Sequence, residues 1–415
     1  MTRFELMILG GGLTAARAIR EYRAAGGDGR IALLTRERNL PYHRPPLSKR
    51  FLRGEAEKND TLVEPQEFYD RNEVELLLGR EATSVDLREQ AVTTGDGNRH
   101  RYRTILVATG SRPIALEVEG ADLPGVFSLR SLEDAASIRE AASQARDAVV
   151  VGSGFIGMEV AASLTEIGLD VTLVSRDIDL FAQLGSPEIS EHLVELYRQH
   201  GVHVLRGDEV RAFRGHSRVD TVELHVGEPI GVGLAVVGVG VRPAVPSFVG
   251  QIAVDDGIIV DDRFQTTVPG VYAAGDVARF FDPVFGRRRR IEHWSNANYQ
   301  GAQVGKVLAG VDTGYDTVST FFTEAFGLTL RVFGDVSQHD DRVSRGTFAD
   351  GNAIVFYLDR GRLVGTLHTG QDEETEETLK RLIRTHAKPR QIGLLADDTV
   401  PVGAAFASTL EPIGS

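Results

Sequence analysis

The stretch that decides the fold is DAVVVGSGFIGME at residues 147–159. Its β-branched run predicts a buried strand that ends at Val151, and an apolar helix is predicted for residues 158–167. Between them, glycines at positions 152, 154 and 157 fill the pattern G-x-G-x-x-G. A further parallel strand is predicted at residues 171–174, so the motif has the strand–turn–helix–strand setting of a dinucleotide-binding unit.

The three glycines have separate physical roles. Gly152 permits a tight turn, Gly154 lets the backbone approach a pyrophosphate, and Gly157 lets the helix pack closely on the strand. The N-terminus of the helix offers N–H groups and a positive dipole end to phosphate. A glycine turn without a ligand is the alternative, which the complete unit around the motif disfavours.

The same device occurs once earlier in the chain. Residues 7–9 are apolar and lead into Gly10 and Gly12, with Ala15 as an allowed variant at the third position. A helix is predicted to continue through Ile19. Two such units on one chain predict two bound dinucleotides that face each other.

Composition bounds the class of protein. A chain of 415 residues is expected to form two or three domains. The net charge of −13 disfavours nucleic acid and anionic membrane as partners. No apolar run has the length of a membrane span, and a strand predicted within the first few residues leaves no room for a signal peptide. We therefore expect a cytoplasmic protein.

The chain contains no cysteine. Thiol–disulfide exchange requires a thiolate nucleophile, and iron–sulfur clusters are held mainly by thiolates. The sequence therefore excludes a redox-active disulfide and a Cys-ligated cluster, and no metal site is expected. Any redox chemistry must come from bound organic cofactors.

A proline-rich segment follows the second strand, which is predicted at residues 31–34. Prolines at the density found in residues 41–49 exclude a helix or a central strand and predict a rigid loop that orients Arg44 and Lys49. A surface loop with solvated charges is the alternative. We favour an anion or flavin contact, because the loop lies beside a phosphate-binding motif. The acid expected to bind a ribose is Glu37, which stands one position beyond the usual place of this acid at the end of the second strand.

Later strands end in small residues that let a cofactor approach the backbone. Residues 104–110 end in Ala-Thr-Gly, and residues 270–276 end in Ala-Ala-Gly-Asp. Asp276 could accept a hydrogen bond from a ligand hydroxyl or cap a following helix. A long helix is predicted from residue 291 to about 308, and its Trp294 is either a buried structural residue or a cofactor contact.

Beyond Asp316 the pattern changes. Alternating strands are predicted at residues 328–332, 354–358 and 363–367, and an acidic helix follows at residues 373–386. This composition predicts a separate α+β domain.

These stretches together resemble the FAD-dependent pyridine nucleotide oxidoreductases, and within them the ferredoxin reductases of bacterial oxygenase systems. The resemblance runs from Ile8 to about Gly365 and rests on the 41–49 loop, Glu159, the Gly275-Asp276 pair and the 292–300 segment. It implies an α/β fold with two Rossmann-like domains, as in glutathione reductase, and a C-terminal α+β domain. FAD would bind residues 1–113 and 246–316, and NAD(P)H residues 114–245. Residues 317–415 would form the partner interface.

The resemblance also implies site residues. Lys49 and Glu159 would be the catalytic pair near flavin N5, with the flavin between the two nucleotide-binding domains. The implied FAD contacts are Gly10, Gly12, Leu13, Thr14, Ala15, Arg36, Glu37, Arg44, Lys49, Ala82, Ala108, Thr109, Gly110, Arg130, Gly275, Asp276 and Trp294. The implied NAD(P)H contacts are Gly152, Gly154, Phe155, Ile156, Gly157, Glu159, Ser175, Arg176, Gly238 and Gly240.

The chain departs from the family pattern at several positions. Arg36 stands where an acid is usual, and residues 321–324 replace a segment that often contains Trp-Ser-Asp. Ser175 and Arg176 replace the acid of NADH users, and an arginine there can accommodate a 2′-phosphate. Asp177 follows and would repel that phosphate. The sequence therefore favours NADPH, or the use of both nucleotides.

The expected function is hydride transfer from NAD(P)H to FAD, followed by single-electron transfer to a [2Fe–2S] ferredoxin that feeds an oxygenase. The basic run 287–290 is either a solvated loop or, through Arg289 and Arg290, a docking site for an acidic ferredoxin. A flavoprotein that acts through partner binding, like apoptosis-inducing factor, is the alternative from another class. A rubredoxin reductase or NAD(P)H oxidase is a further alternative, and a monomer and a homodimer both remain open.

Overall fold

The computed structural model of the chain describes residues 3–246 and 251–407. These residues divide into two compact units. The first is drawn from Met1–Pro45, Glu57–Arg112 and Val241–Asp316, and the second from Pro46–Ala56, Pro113–Gly240 and Thr317–Ser415. The outer ends of the sequence-based domain ranges, at residues 1–2 and 408–415, lie outside the described residues.

The elements follow in chain order. Strands β1–β7 span Arg3–Leu9, Ile31–Thr35, Val74–Leu78, Ala82–Asp86, Ala91–Thr94, Arg99–Val107 and Ser111–Pro113, and helices α1 and α2 span Leu13–Ala24 and Gln66–Arg71. Strands β8–β15 span Val126–Ser128, Asp147–Val151, Asp170–Ser175, His203–Arg206, Val210–Arg214, Thr221–Leu224, Ile230–Gly231 and Leu234–Val237, and helices α3–α5 span Leu132–Ala142, Phe155–Glu166 and Pro187–Gln199. Strands β16–β20 span Val241–Pro243, Ile258–Ile259, Val271–Ala273, Ala278–Asp282 and Arg287–Arg289, and helix α6 spans Trp294–Leu308. Strands β21–β25 span Thr320–Ala325, Leu328–Gly334, Asp341–Thr347, Asn352–Asp359 and Arg362–Thr369, and helices α7 and α8 span Glu373–Arg384 and Gly393–Ala396.

The first unit is built on a sheet in the order β3-β2-β1-β6-β5-β4. Strands β3, β2, β1 and β6 run parallel, and β18 also pairs in parallel with β6 through residues 105–107. Strand β5 pairs in antiparallel fashion with residues 99–101 of β6, and β4 pairs in the same way with β5. Strands β1 and β2 are almost entirely buried, which is expected of parallel strands covered on both faces.

The second unit contains a parallel sheet in the order β11-β10-β9-β15-β8. Strand β9, helix α4 and strand β10 form the strand–turn–helix–strand arrangement that the sequence predicts. Helix α4 begins at Phe155, three residues before the predicted start, because the third motif glycine lies inside its first turn. The unit also contains an antiparallel sheet in the order β21-β22-β25-β24-β23, which packs against α7.

These sheets confirm the predicted fold class, with Rossmann-like parallel sheets and a C-terminal antiparallel domain. The basic run does not form a loop, because residues 287–289 are strand β20 and pair with β19. Over the described residues, no helix is both long and apolar enough to cross a bilayer.

Candidate active site

The glycine turn of the second unit is closely packed. Gly152 has a φ of +109°, and a Cβ there would lie 2.4 Å from the carbonyl oxygen of Gly238. A Cβ on Gly157 would lie 1.9 Å from the carbonyl oxygen of Gly152. A Cβ on Gly154, in contrast, would meet no described atom within 4 Å. The turn is therefore packed on its protein side and open at the N-cap of α4, where a phosphate group can approach.

The first unit repeats this geometry. Gly10 has a φ of +111°, and its Cβ would lie 2.2 Å from the carbonyl oxygen of Ala108, whereas Gly12 faces open space among the described residues. Gly12 is the N-cap of α1, so Leu13, Thr14 and Ala15 form the first turn of that helix. A Cβ on Gly275 would lie 2.5 Å from the Thr14 hydroxyl. The predicted strand ends around Ala108 and Gly275 therefore lie at the same turn.

A buried carboxylate lies one turn into α4. Glu159, only 5% exposed, forms an ion pair with Lys49 across 2.6 Å between Oε1 and Nζ. Its Oε1 also accepts a hydrogen bond of 2.9 Å from the Thr323 hydroxyl, and its Oε2 accepts one of 2.5 Å from the Ser48 hydroxyl. The predicted catalytic pair is thus brought together in the second unit. Ser48 and Thr323 were not predicted, and no sequence signal marks them, because they lie 111 and 164 residues from Glu159.

The segment that carries Lys49 is attached along one face of α4. The Ser163 hydroxyl donates a hydrogen bond of 2.7 Å to the carbonyl oxygen of Ser48, and Arg53 forms a 2.9 Å ion pair with Glu166. Positions 159, 163 and 166 follow helical spacing, so they share that face. Residues on both sides of Lys49 are therefore held against α4.

An aromatic cluster surrounds the start of α4. The ring centroid of Phe155 lies 4.8 Å from that of Phe321 and 4.9 Å from that of Phe181. Phe155 is half-buried, and the following Ile156 is 40% exposed. Two of the predicted NAD(P)H contacts therefore present apolar surface beside the glycine turn.

In the first unit, Glu37 and Arg44 form an ion pair of 2.9 Å, and Tyr42 also donates a hydrogen bond to Glu37. Burial lowers the pKa of the Arg44 guanidinium, but Tyr42 and Glu37 outweigh it and raise that pKa overall. Arg36 is exposed. Of the two candidates for the ribose contact, Glu37 is therefore the one already held in position.

Asp276 and Trp294 settle two alternatives that the sequence leaves open. Asp276 precedes strand β19, so it does not cap a helix, and it accepts a 2.8 Å hydrogen bond from Ser111. Burial lowers the pKa of the nearby His293 to about 4, against the opposing effect of Asp276. Trp294 is 38% exposed and donates to Nδ1 of His43 across 3.0 Å, so it is not a buried structural residue.

The remaining predicted FAD residues are divided between the units. Thr109 donates a hydrogen bond of 2.6 Å to the carbonyl oxygen of Ala244, and Gly110 has a φ of +68°. Ala82 lies on β4 in the first unit. Arg130 belongs to the second unit and precedes α3, where its backbone N–H donates to Asp134.

The predicted nucleotide-specificity residues are already engaged within the protein. Ser175 is 1% exposed, and its hydroxyl donates to the carbonyl oxygen of Asp177 while lying 2.7 Å from the Ser153 hydroxyl. Arg176 is exposed, with its Nε 3.6 Å from Asp177 and 3.9 Å from Glu209. Two carboxylates therefore lie near the Arg176 guanidinium, which is the cation on which the expectation of NADPH rests.

The predicted docking arginines are largely buried in ion pairs. The Arg289 side chain, 10% exposed, pairs with Asp282 across 2.8 Å. The Arg290 side chain, 12% exposed, pairs with Asp256 across 3.1 Å and with Glu292. Their neighbour Arg288 is exposed.

Two glycine-rich strand–turn–helix modules define the class of proteins that bind dinucleotides. The chain belongs to the pyridine nucleotide-disulphide oxidoreductase family, which residues 4–301 match. Residues 320–406 match the family described as reductase C-terminal. The protein is thus a member of an NAD(P)H-dependent flavin oxidoreductase family.

Known relatives show which members of this family the chain is similar to. The chain is 33% identical to the peroxisomal monodehydroascorbate reductase 4 of Arabidopsis thaliana, over 98% of this chain and 87% of the relative. It is also 33% identical to the ferredoxin reductase subunit of the 5,5′-dehydrodivanillate O-demethylase of Sphingobium, over 88% and 89%. The crystal structure of the covalent putidaredoxin reductase–putidaredoxin complex matches with a TM-score of 0.91 at 28% identity, over 97% of both chains. The protein therefore belongs to the group of ferredoxin reductases and monodehydroascorbate reductases.

The family implies FAD and NAD(P)H, and the glycine turns fit both. Each turn is packed on its protein side and open at a helix N-terminus whose N-cap residue is a glycine. A side chain at Gly12 or Gly154 would occupy the space that a pyrophosphate needs. The family name refers to disulphide chemistry, which this cysteine-free chain cannot perform through its own thiols.

Proposed function

We propose that the protein is a flavoprotein ferredoxin reductase. When bound, FAD would supply the redox chemistry, which is uptake of a hydride from NAD(P)H and transfer of the two electrons singly, each to one [2Fe–2S] ferredoxin. The first glycine turn holds FAD, and the second holds NAD(P)H. The reduced ferredoxin then supplies an oxygenase.

The observation that carries this proposal is the buried Lys49–Glu159 pair. It lies one helical turn beyond the glycine turn that receives the nucleotide. Burying an ion pair is weak evidence for stability, because desolvation offsets much of its attraction. A pair placed beside a dinucleotide cradle is instead suited to orienting a reacting ring and to balancing charge there.

The cysteine count and the known relatives both bear on the electron acceptor. Without a thiol in the chain, the electrons must leave for an acceptor outside the protein. One relative is named as a ferredoxin reductase subunit, and the matched crystal structure contains putidaredoxin. A ferredoxin is therefore the acceptor that we propose.

NADH and NADPH are both candidates for the hydride donor. The preference for NADPH drawn from the sequence has no structural support, because Asp177 and Glu209 lie beside Arg176. We propose that NADH and NADPH both reduce the protein, with their ratio set by the charge around Arg176.

The first test is anaerobic reduction of the FAD-loaded protein by NADH and by NADPH, followed by absorbance. Cytochrome c reduction is then measured with and without a [2Fe–2S] ferredoxin, and we expect the ferredoxin to accelerate it. Folded protein that cannot be reconstituted with FAD would overturn the proposal. Reduction that no ferredoxin accelerates would favour the partner-binding or oxidase alternatives instead.

A second acceptor is favoured by a specific observation. The relative named as a monodehydroascorbate reductase aligns with 98% of this chain. Its name indicates a one-electron organic radical as acceptor. NADH oxidation that depends on enzymatically generated monodehydroascorbate, and not on ferredoxin, would assign this function.

A further inference from the structure

Thr323 connects the C-terminal antiparallel sheet to the buried carboxylate of α4. It lies on strand β21, is 4% exposed, and donates its hydroxyl to Oε1 of Glu159 across 2.9 Å. The same oxygen faces the Lys49 ammonium at 2.6 Å. Thr323 and Lys49 therefore share one oxygen, while Ser48 holds the other.

Strand β21 and helix α4 match in their spacing. Phe321 contacts the ring of Phe155, and Thr323 contacts Glu159, so residues i and i+2 of the strand meet residues i and i+4 of the helix. Two strand residues advance about 6.6 Å and four helix residues about 6 Å, so the two sets of side chains lie in register. The alternate residues Phe322 and Glu324 are exposed.

We propose that Thr323 is a positioning residue for the reaction. It acts through Glu159 by fixing the rotation of the carboxylate, so that Oε1 presents a defined edge to Lys49. This inference rests on the proposed function, because it assumes that the Lys49–Glu159 pair takes part in hydride transfer. It also assigns a task to the C-terminal domain beyond forming a partner surface, since β21 belongs to that domain.

The geometry argues against a purely structural role. A buried threonine can satisfy its hydroxyl on a backbone carbonyl, as Ser163 does on Ser48. Thr323 instead donates to a carboxylate that already has Lys49 and Ser48 as partners. Because the Glu159 charge is already paired, the additional hydrogen bond acts mainly by restricting the orientation of the carboxylate.

The test compares Thr323→Val, which keeps the shape and removes the donor, with Thr323→Ser, which keeps the donor. Stopped-flow flavin reduction at saturating nucleotide measures the limiting rate, and calorimetry with the non-reacting product NAD⁺ measures affinity. We expect Thr323→Val to lower the limiting rate by about ten- to a hundredfold, the effect of one hydrogen bond to a charged group. The NAD⁺ dissociation constant and the Thr323→Ser rate should stay within about twofold of the wild type.

A double-mutant cycle shows whether Thr323 acts through Glu159. In the Glu159→Leu background, which leaves no acceptor for the Thr323 hydroxyl, Thr323→Val should change the limiting rate by less than about twofold. Thr366→Val is the matched control, because Thr366 is fully buried in the same antiparallel sheet and does not contact Glu159. It should leave the limiting rate unchanged.

The outcomes separate the inference from the proposed function. A wild type whose flavin neither nucleotide reduces overturns the proposed function, and this inference with it. A reducible wild type overturns the inference alone if Thr323→Val reacts at the wild-type rate, or if Thr323→Val has the same effect in the Glu159→Leu background. Thr323→Ala replaces Thr323→Val in the cycle if the valine variant does not fold.

Discussion

At the scale of single residues, Glu209 is the neighbour of Arg176 that the sequence does not reveal. It lies after β11, its side chain is exposed, and its carboxylate is 3.9 Å from the Arg176 guanidinium. Because an exposed ion pair contributes only about 0–1 kcal/mol, removing one charge changes recognition modestly rather than abolishing it. Glu209 should therefore influence which nucleotide is used.

We expect Glu209→Gln to raise kcat/KM for NADPH by about three- to fivefold and to leave the value for NADH unchanged, since only NADPH carries a 2′-phosphate. Steady-state kinetics with both nucleotides, together with calorimetric affinity for 2′,5′-ADP, measures the change. Glu195→Gln removes an exposed acid from α5 and is the control. An equal response to both nucleotides would show that Glu209 does not act on the 2′-phosphate.

At the scale of secondary-structure elements, the contact between α1 and α6 depends on small residues. A Cβ on Gly305 would lie 2.4 Å from the carbonyl oxygen of Ala18, and one on Gly301 would lie 2.7 Å from that of Thr14. The two helices thus approach through backbone atoms, and α1 is the helix that begins at the first glycine turn.

Gly305→Ala should destabilise the protein, because an added methyl in this contact forces the helices apart at a cost of about 1–3 kcal/mol. The expected result is a melting temperature lower by about 2–4 °C or more, with faster release of FAD. Gly393→Ala is the control, since a Cβ on that helical glycine would meet no described atom within 4 Å. Equal melting temperatures for both variants would contradict the packing argument.

The C-terminal sheet contains a buried histidine that makes stability depend on pH. His368 is fully buried against Phe333, and burial, assisted by Arg331 and Lys380, lowers its pKa to about 3. In the unfolded chain its pKa is about 6.5, so between pH 6.5 and 3 the unfolded state binds more protons. The stability associated with this group is therefore complete above pH 6.5 and is lost as the pH falls below it.

His368→Leu should make the free energy of unfolding less dependent on pH between 6 and 5, by up to about 1.4 kcal/mol per pH unit. Chemical denaturation at several pH values measures the slope. His216→Gln changes an exposed histidine and should keep the wild-type slope. A wild-type slope in His368→Leu would show that other groups determine the acid sensitivity.

At the scale of the whole molecule, the net charge of −13 opposes the approach of an acidic ferredoxin. If a ferredoxin is the acceptor, as we propose, local positive charge would favour its docking, and the basic run on β20 is the candidate. Arg289 and Arg290 are held in ion pairs, whereas Arg288 is exposed and donates to the backbone of Val260.

We expect Arg288→Glu to raise the ferredoxin KM and to flatten its dependence on ionic strength, with flavin reduction by NAD(P)H unchanged. Arg290→Glu should also lower the melting temperature, because it breaks the pairs with Asp256 and Glu292. Arg88→Glu makes the same change of charge at another exposed position and is the control. Unaltered ferredoxin kinetics in Arg288→Glu would remove this strand from the docking surface.

Much of the fold could be predicted because its signals are local. The turn at Gly152 requires a positive φ, and the helix and strands beside it show their periodicity within about ten residues. The strands near residues 328, 354 and 363 lie within the observed β22, β24 and β25 for the same reason. The strand at residues 287–289 is not evident from the sequence, because β20 owes its structure to pairing with β19 rather than to its own composition.

By itself, the sequence determined the glycine turns, the parallel and antiparallel classes of sheet and the exclusion of thiol chemistry, since each depends on residue type and short-range spacing. The resemblance already implied that Lys49 pairs with Glu159, but only the tertiary structure showed that Ser48 and Thr323 reach the same carboxylate from distant parts of the chain. The tertiary structure also decided that Arg289 is buried in an ion pair with Asp282, whereas Arg176 stays exposed with two carboxylates beside it. Such contacts depend on how separate elements pack together, and no local pattern in the chain encodes which side chains then meet.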